Sequence, residues 1–182
     1  MVIIDDASND RTSELLAKHL KWRNVTQDKV IVVKSRKNQK PMGSIFYGTH
    51  KYCRLGEIQY VVDGDDELIG RQVFKVVNAL YQKEKLFTLY STFVIAAGEP
   101  NAPKHRLGKS KELWAQDLQS ENFRKTKNRG YSHLRTMMSD TFLLMKPQSL
   151  QDEEGKFYWA IADNAMYFPA MEMSCKKIRY LP

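Results

Sequence analysis

The sequence predicts an α/β domain with a mostly parallel central sheet and helices on both of its faces. Three observations lead to this fold class. Short apolar runs alternate with segments of helical spacing through the first half of the chain. The connections between them are short, as expected when helices link parallel strands. Acidic residues cluster directly after two of the apolar runs, at the edge where such sheets bind ligands.

The first half of the chain supplies the regular part of this pattern. The predicted strands are VIID (2–5), KVIVVK (29–34), EIQYVVD (57–63) and LFTLYSTFVI (86–95). Helical spacing predicts a first helix capped by Asp10 or Thr12, a second that begins at Pro41, and a third over 67–83. The second predicted helix ends near Cys53. Strands and helices therefore alternate from residue 2 to residue 95.

Beyond Ile95 the alternation ends. Residues 96–114 are rich in glycine, proline and charge, which predicts a long loop. Residues 132–145 and 157–175 have mostly helical spacing, and KIRYL (177–181) predicts a closing strand. A chain of 182 residues fits a single domain, 1–182.

The composition excludes several classes of protein. With 42% hydrophobic residues the chain can form a core, which excludes a disordered tail. No apolar stretch approaches the roughly 20 residues of a membrane span, and MVIIDDASND is not a secretory signal. Cys53 and Cys175 form no CxxC or metal-binding pattern. We therefore expect reduced thiols, no transmembrane segment and a cytoplasmic location.

The net charge of +8 is unevenly distributed. The segment from Lys104 to Arg135 has few acidic residues and contains Lys104, Arg106, Lys109, Lys111, Arg124, Lys125, Lys127, Arg129 and Arg135. This segment is either a solvated loop with a basic bias or a surface that binds phosphate or another acidic partner. Composition does not separate the two.

Two acidic clusters follow predicted strands: DDASND (5–10) after the first, and DGDD (63–66) after the third. Carboxylates this close together favour a bound cation, and Mg²⁺ or Mn²⁺ combines carboxylates with phosphate oxygens. Gly64 would let a diphosphate approach the backbone between Asp63 and Asp65. The alternative for both clusters is structural, with the acids capping the next helix. An EF-hand is excluded because Leu68 stands where that loop needs glycine.

The two clusters, in this order, resemble the motifs of the family 2 glycosyltransferases, inverting enzymes of the GT-A fold that use nucleotide-sugar donors. DDASNDRT is similar to the first motif of the family, and VVDGDDEL is similar to its metal-binding D-x-D at a strand end. SHLRTMM and AIADNAMYFPAMEMSCKKIRYLP also resemble a branch of the family, so the resemblance spans nearly the whole chain. It implies a Rossmann-like GT-A fold in which residues 1–95 bind the nucleotide and residues 96–182 face the acceptor.

The resemblance implies a donor site among the acidic residues. Asp5 and Asp6 match the acidic pair that contacts the nucleoside part of the donor. Asp63 matches the D-x-D position near the ribose and the metal. Asp65 matches the direct ligand of Mn²⁺ or Mg²⁺, which bridges the donor diphosphate. The implied donor is a nucleoside diphosphate sugar, with a UDP-sugar as the first choice. No nucleic-acid partner is expected.

The same resemblance implies the catalytic residues. Asp163 matches the general base that acts on the acceptor hydroxyl, and Arg135, with His133, lies where a cation could steady the departing diphosphate. Each has a structural alternative: Asp163 as a first-turn helix acid, Arg135 as an ion-pair partner and His133 as an ordinary histidine. Whether the acceptor is a glycan, a protein or a lipid is not encoded in any motif.

Other functions remain open at this point. Family members begin one strand earlier, so the resemblance implies a missing first strand and leaves a truncated or degenerate homologue without turnover as one alternative. A phosphohydrolase with Asp63 as nucleophile is another, although Glu67 stands where that class needs Thr or Val. A basic nucleic-acid-binding module is the third. Its binding would depend on salt concentration and not on divalent metal.

Overall fold

The computed structural model of the chain describes residues 1–96, 105–107, 115–125 and 133–182. Strands and helices alternate along these ranges. In chain order they are β1 (Val2–Asp5), α1 (Thr12–Trp22), β2 (Ile31–Lys34), α2 (Lys40–Tyr52), β3 (Ile58–Val61), α3 (Val73–Glu84), β4 (Thr88–Ser91), β5 (Val94–Ala96), β6 (His105–Leu107), α4 (Ala115–Ser120), β7 (Arg135–Met138), α5 (Ser139–Leu143), a 3₁₀ turn (Pro147–Leu150), α6 (Ala162–Met173) and β8 (Ile178–Leu181).

Most of the predicted elements are confirmed, with bounds that shift by one or two residues. The cap of α1 differs from the prediction, because Arg11 takes the capping position and makes no side-chain capping bond. Asp10, one residue earlier, accepts the backbone N–H of Thr12 through its Oδ1 at 2.9 Å. Pro41 lies in the first turn of α2, where its missing N–H costs no helical hydrogen bond. The predicted strand over residues 86–95 is divided into β4 and β5.

The third helix begins later than predicted. It starts at Val73 rather than Glu67, with Gln72 at the capping position. The acidic residues before it form a turn instead, in which the backbone N–H of Asp66 donates to the carbonyl of Asp63 at 3.1 Å. These carboxylates lie too far along the chain to cap α3. The structural alternative for the DGDD cluster is therefore wrong.

The helix predicted over residues 132–145 is also wrong in its first half. Residues Arg135–Met138 form the strand β7, and a helix begins only at Ser139. Leucine, arginine and methionine favour helices, but propensity is a weak preference that tertiary pairing overrides. β7 pairs with β3 on one edge and β4 on the other, so it is an inner strand of the sheet.

The sheet topology confirms the α/β class, but one strand, β7, runs opposite to its neighbours. β1 and β2 form a parallel pair, and β4 pairs in parallel with β8. The larger sheet has the order β3-β7-β4-β8, in which β7 runs antiparallel to both of its neighbours. A short antiparallel pair joins β5 to β6.

Helices cover both faces of the four-stranded sheet, as predicted. Leu89 and Tyr90 are consecutive in β4, are fully buried, and belong to different hydrophobic clusters, because alternate side chains of a strand point to opposite faces. The Leu89 cluster includes Val77 and Tyr81 of α3. The Tyr90 cluster is larger and contains residues of α2, α5 and α6, namely Met42, Phe142, Ala162, Ala165, Met166, Tyr167, Ala170 and Met171.

Cys53 and Cys175 are both free thiols, as predicted. None of the helices in the described part of the chain has the length and apolarity that a bilayer crossing requires. Most of the basic segment, including Lys104, Lys109, Lys111, Lys127 and Arg129, lies outside the described residues.

Candidate active site

The site lies where β3 ends and β7 begins. Val61, the last residue of β3, is paired with Arg135, the first residue of β7. Because the two strands are antiparallel, the residues that follow β3 meet the residues that precede β7. Asp63 and His133 are each two positions outside this pair. The reversal of β7 therefore brings together residues that are 70 positions apart in the chain.

Arg135 is the centre of this site. Its Nη2 lies 2.6 Å from Oδ2 of Asp63, and its Nη1 lies 2.6 Å from Oδ1 of Asp163 in the first turn of α6. The Arg135 side chain is 3% exposed, whereas those of Asp63 and Asp163 are 46% and 33% exposed. One buried guanidinium thus contacts two solvent-accessible carboxylates, one predicted to lie near the donor and metal and the other predicted to be the base.

These two partners stabilise the charged form of Arg135. Burial by itself lowers the pKa of the guanidinium, but the attraction of Asp163 and Asp63 outweighs it, so the net shift is upward. Its Nε and Nη2 are buried and make no well-directed hydrogen bond among the described residues, so the Nη2 contact with Asp63 counts as an ion pair. A buried cation with an unsatisfied donor is costly unless nearby carboxylates balance it. Arg135 therefore holds Asp63 and Asp163 in ion pairs.

A second pair lies beside the first. Nε2 of His133 is 2.9 Å from Oδ2 of Asp66. Asp63, Asp66 and His133 each offer one atom that could bind a metal, and these three atoms lie within 4.8 Å of one another. Asp65, the ligand implied by the resemblance, is exposed and is not part of this group. The turn from Asp63 to Asp66 explains the difference, because it brings the fourth residue rather than the third beside the first.

Neighbouring residues fix the position of His133. Its ring packs against that of Phe93, with the ring centroids 4.7 Å apart. The carbonyl of His133 accepts the backbone N–H of Ser91 at 2.7 Å, and Ser91 Oγ accepts the N–H of Leu134 at 2.9 Å. Sequence reasoning missed Phe93 and Ser91. The signal they give is their place at the end of β4, the other neighbour of β7: Ser91 is its last residue and Phe93 comes two residues later.

The first acidic cluster is built differently. Asp5 is 4% exposed, and its carboxylate accepts the N–H of Ser8 at 2.9 Å and the hydroxyl of Ser13. These hydrogen bonds, with Ser13 first, lower the pKa of Asp5 to about 2. Asp6 Oδ1 accepts the N–H of Gln39 at 2.8 Å, which ties the end of β1 to the start of α2. Asp5 is the last residue of β1 in the two-stranded sheet, and Asp6 follows it.

The aromatic residues around Asp163 divide into two groups. Tyr167 is fully buried in α6, and its hydroxyl donates to the carbonyl of Leu134 at 3.0 Å, which secures α6 against the start of β7. Tyr158 packs against the core. Trp159, in contrast, is 71% exposed in the segment that leads to Asp163. Tyr158 and Tyr167 therefore belong to the core, and Trp159 is the exposed ring of the three.

Comparison with known proteins gives the same picture of the fold. A solved structure, the crystal structure of S. aureus TarS 1-349, matches the chain with a TM-score of 0.60 and 17% sequence identity. The match covers 99% of this chain and 48% of that one, so the chain spans about half the length of the TarS structure. No curated protein matches the sequence. The profile of glycosyl transferase family 2 matches residues 1–152, and the chain therefore belongs to that family.

Proposed function

We propose that this chain moves a sugar from a nucleoside diphosphate donor to an acceptor hydroxyl with inversion, and that a divalent cation assists it. One observation supports this function above the others: Asp63, Asp66 and His133 form a group that could hold a cation, and Arg135 connects this group to Asp163. The two terminal nitrogens of Arg135 thus contact a candidate general base and a candidate cation ligand, and sugar transfer needs both a base and a cation.

The donor atoms of this group fit a divalent cation. Asp63, Asp66 and Asp163 carry three negative charges, and Arg135 supplies one positive charge. These carboxylates outnumber the guanidinium by two, which favours a divalent ion. Carboxylate oxygens suit both Mg²⁺ and Mn²⁺, but an imidazole nitrogen is the poorer ligand for Mg²⁺. Mn²⁺ is therefore our choice, and a bound cation would neutralise charge on the leaving diphosphate.

In the transfer step, Asp163 would act as the general base. The Asp163 carboxylate accepts the proton of the acceptor hydroxyl as the new bond forms between that oxygen and the anomeric carbon. The bond from the anomeric carbon to the phosphate oxygen breaks on the opposite face, and its electron pair leaves with the diphosphate. Asp163 is 33% exposed, so an acceptor from solvent can reach it. General-base assistance of this kind contributes roughly 10²–10⁴-fold in rate.

The donor nucleoside is assigned to the first acidic cluster. Because the Asp5 carboxylate is buried and bonded within the protein, we assign direct contact to Asp6 and a positioning role to Asp5. Asn38, whose Nδ2 donates to the carbonyl of Asp6 at 3.1 Å, holds this loop from the side of α2. A UDP-sugar stays the first donor to test, and the free thiols agree with a cytoplasmic location.

Calorimetry with UDP and Mn²⁺ tests the proposal. We expect UDP to bind in the presence of Mn²⁺ and to bind at least tenfold more weakly without it. Asp66→Asn and Asp65→Asn form a matched pair, since both remove one exposed acidic charge from the same turn. Loss of metal-dependent binding in Asp66→Asn alone supports the group seen here, and loss in Asp65→Asn alone supports the D-x-D assignment.

The same measurement separates the other functions. Binding of UDP that is equal with and without metal contradicts the proposed cation site. Binding of a nucleic acid that falls steeply with salt and ignores Mn²⁺ would favour the basic module instead. Metal-dependent UDP binding without any sugar transfer would identify a degenerate homologue that keeps the site and has lost turnover.

A further inference from the structure

We infer that Arg135 couples the cation site to the catalytic base, so that the charge on Asp163 controls how tightly Asp63 can bind a cation. This inference rests on the proposed function for the roles of the cation and of Asp163. It gives Arg135 a positioning role within the protein, separate from the contact with the departing diphosphate that the resemblance implies.

The geometry of Arg135 supports this coupling. Its two terminal nitrogens are used separately, Nη2 at 2.6 Å from Asp63 and Nη1 at 2.6 Å from Asp163. The side chain is 3% exposed, so water cannot replace either carboxylate as a partner for the positive charge. If one carboxylate is withdrawn, the guanidinium must rely on the other.

Asp63 is the residue that the two sites share. It is paired with Arg135, and it also belongs to the three-residue group with Asp66 and His133. A cation at that group would compete with Arg135 for the Asp63 charge. Arg135 gives up its ion pair with Asp63 most easily while the ionised Asp163 still balances the guanidinium charge. Asp163 therefore favours cation binding, although it is not one of the three residues of the group.

The coupling must also act in the other direction, because linkage between two binding equilibria is reciprocal. Once a cation withdraws Asp63, Arg135 depends more strongly on Asp163 and fixes its Oδ1 more firmly. The base would thus be held most rigidly when the donor and its cation are present. In the absence of the cation, Arg135 divides its attraction between the two carboxylates.

Electron paramagnetic resonance titration of Mn²⁺ alone, without donor or acceptor, tests the coupling. We expect Asp163→Asn to weaken Mn²⁺ binding by about fivefold or more, the lower range of typical couplings between sites. Asp28→Asn removes the same charge from an exposed turn and serves as the matched control, which should bind as the parent does. In an Arg135→Gln background, Asp163→Asn should have no further effect, because the connecting charge is gone.

Each outcome is decisive. If the parent binds Mn²⁺ and Asp163→Asn binds it equally well, the coupling is overturned and the proposed cation site stands. If the parent binds no Mn²⁺, the cation site of the proposed function fails, and the coupling fails with it. Should Arg135→Gln lose the circular dichroism of the parent, Arg135→Lys replaces it. A single ammonium cannot pair with both carboxylates as a guanidinium does, so the effect of Asp163→Asn should shrink.

Discussion

Nη1 of Arg135 lies 2.6 Å from Oδ1 of Asp163, and this ion pair joins the first residue of β7 to the first turn of α6. Arg135 is buried because β7 is an inner strand with partners on both edges. Asp163 is held at the same point because Tyr167, one turn further along α6, donates to the carbonyl of Leu134. Asp163 is thus held by Arg135 of the sheet and by the anchoring of its own helix through Tyr167.

Replacing the base should separate transfer from binding. Asp163→Asn keeps the size of the side chain and removes its ability to accept a proton. At saturating Mn²⁺ we expect UDP to bind, while sugar transfer falls by about 10²–10⁴-fold. UDP release from a UDP-sugar, measured over a panel of acceptors, gives the rate. Transfer at the parent rate would show that the base lies elsewhere.

His133 should contribute a nitrogen ligand to the cation. Loss of even an outer-shell partner typically costs 10–100-fold in metal affinity. Because His133 would be a direct ligand, we expect His133→Asn to weaken Mn²⁺ binding by about tenfold or more. Pulsed electron paramagnetic resonance should detect nitrogen coupling to Mn²⁺ in the parent and not in the variant. His19→Asn, an exposed histidine on α1, is the control. Nitrogen coupling that persists in His133→Asn would remove His133 from the ligand set.

Gly64 should matter for the diphosphate and not for the fold. A Cβ added at Gly64 would meet no atom within 4 Å, so Gly64→Ala should change the free energy of unfolding by less than about 0.5 kcal/mol. The added methyl group should weaken binding of UDP with Mn²⁺ and leave binding of Mn²⁺ alone unchanged. Calorimetry of both ligands on one variant provides its own control. Unchanged UDP affinity would mean that the diphosphate does not approach this backbone.

The buried Asp5 should make stability depend on pH. Its folded pKa is about 2, below the ordinary value of 3.8, so ionised Asp5 stabilises the fold above pH 3.8, and this contribution is lost as pH falls towards 2. Asp5→Asn should therefore be less stable than the parent near neutral pH, and the difference should narrow in acid. Urea unfolding over a pH series measures this difference. A gap between Asp5→Asn and the parent that stays constant over the pH series would contradict the assignment.

The core that contains Tyr90 should be sensitive to truncation at Phe142 in α5 and not at Leu144, which caps the end of this helix. Phe142 is fully buried, whereas Leu144, two residues later, is 75% exposed. Phe142→Ala should lower the free energy of unfolding by about 3–5 kcal/mol, since it removes buried apolar surface and leaves a cavity. Leu144→Ala should cost no more than about 0.5 kcal/mol. Similar losses in the two variants, measured by denaturant unfolding, would show that α5 packs differently.

Much of the fold follows from local sequence. β1, α1, β2 and α2 form where apolar periodicity and cap residues predict them, because these signals act over a few neighbouring residues. The two acidic clusters after strands, and the family resemblance that rests on them, are likewise visible in the sequence. β7 was not predictable in this way. Its residues favour a helix, and only pairing with β3 and β4 makes them a strand.

The sequence by itself determined the α/β class, the family and the carboxylates on which the chemistry would depend. Tertiary structure alone decided which of them meet: Asp66 rather than Asp65 lies with Asp63 and His133, and Arg135 lies between Asp63 and Asp163. The physical reason is that the spacing of residues in a sequence gives information only about residues that are close along the chain. Contacts across an antiparallel pair depend on strand direction and register, which are fixed only when the whole sheet forms.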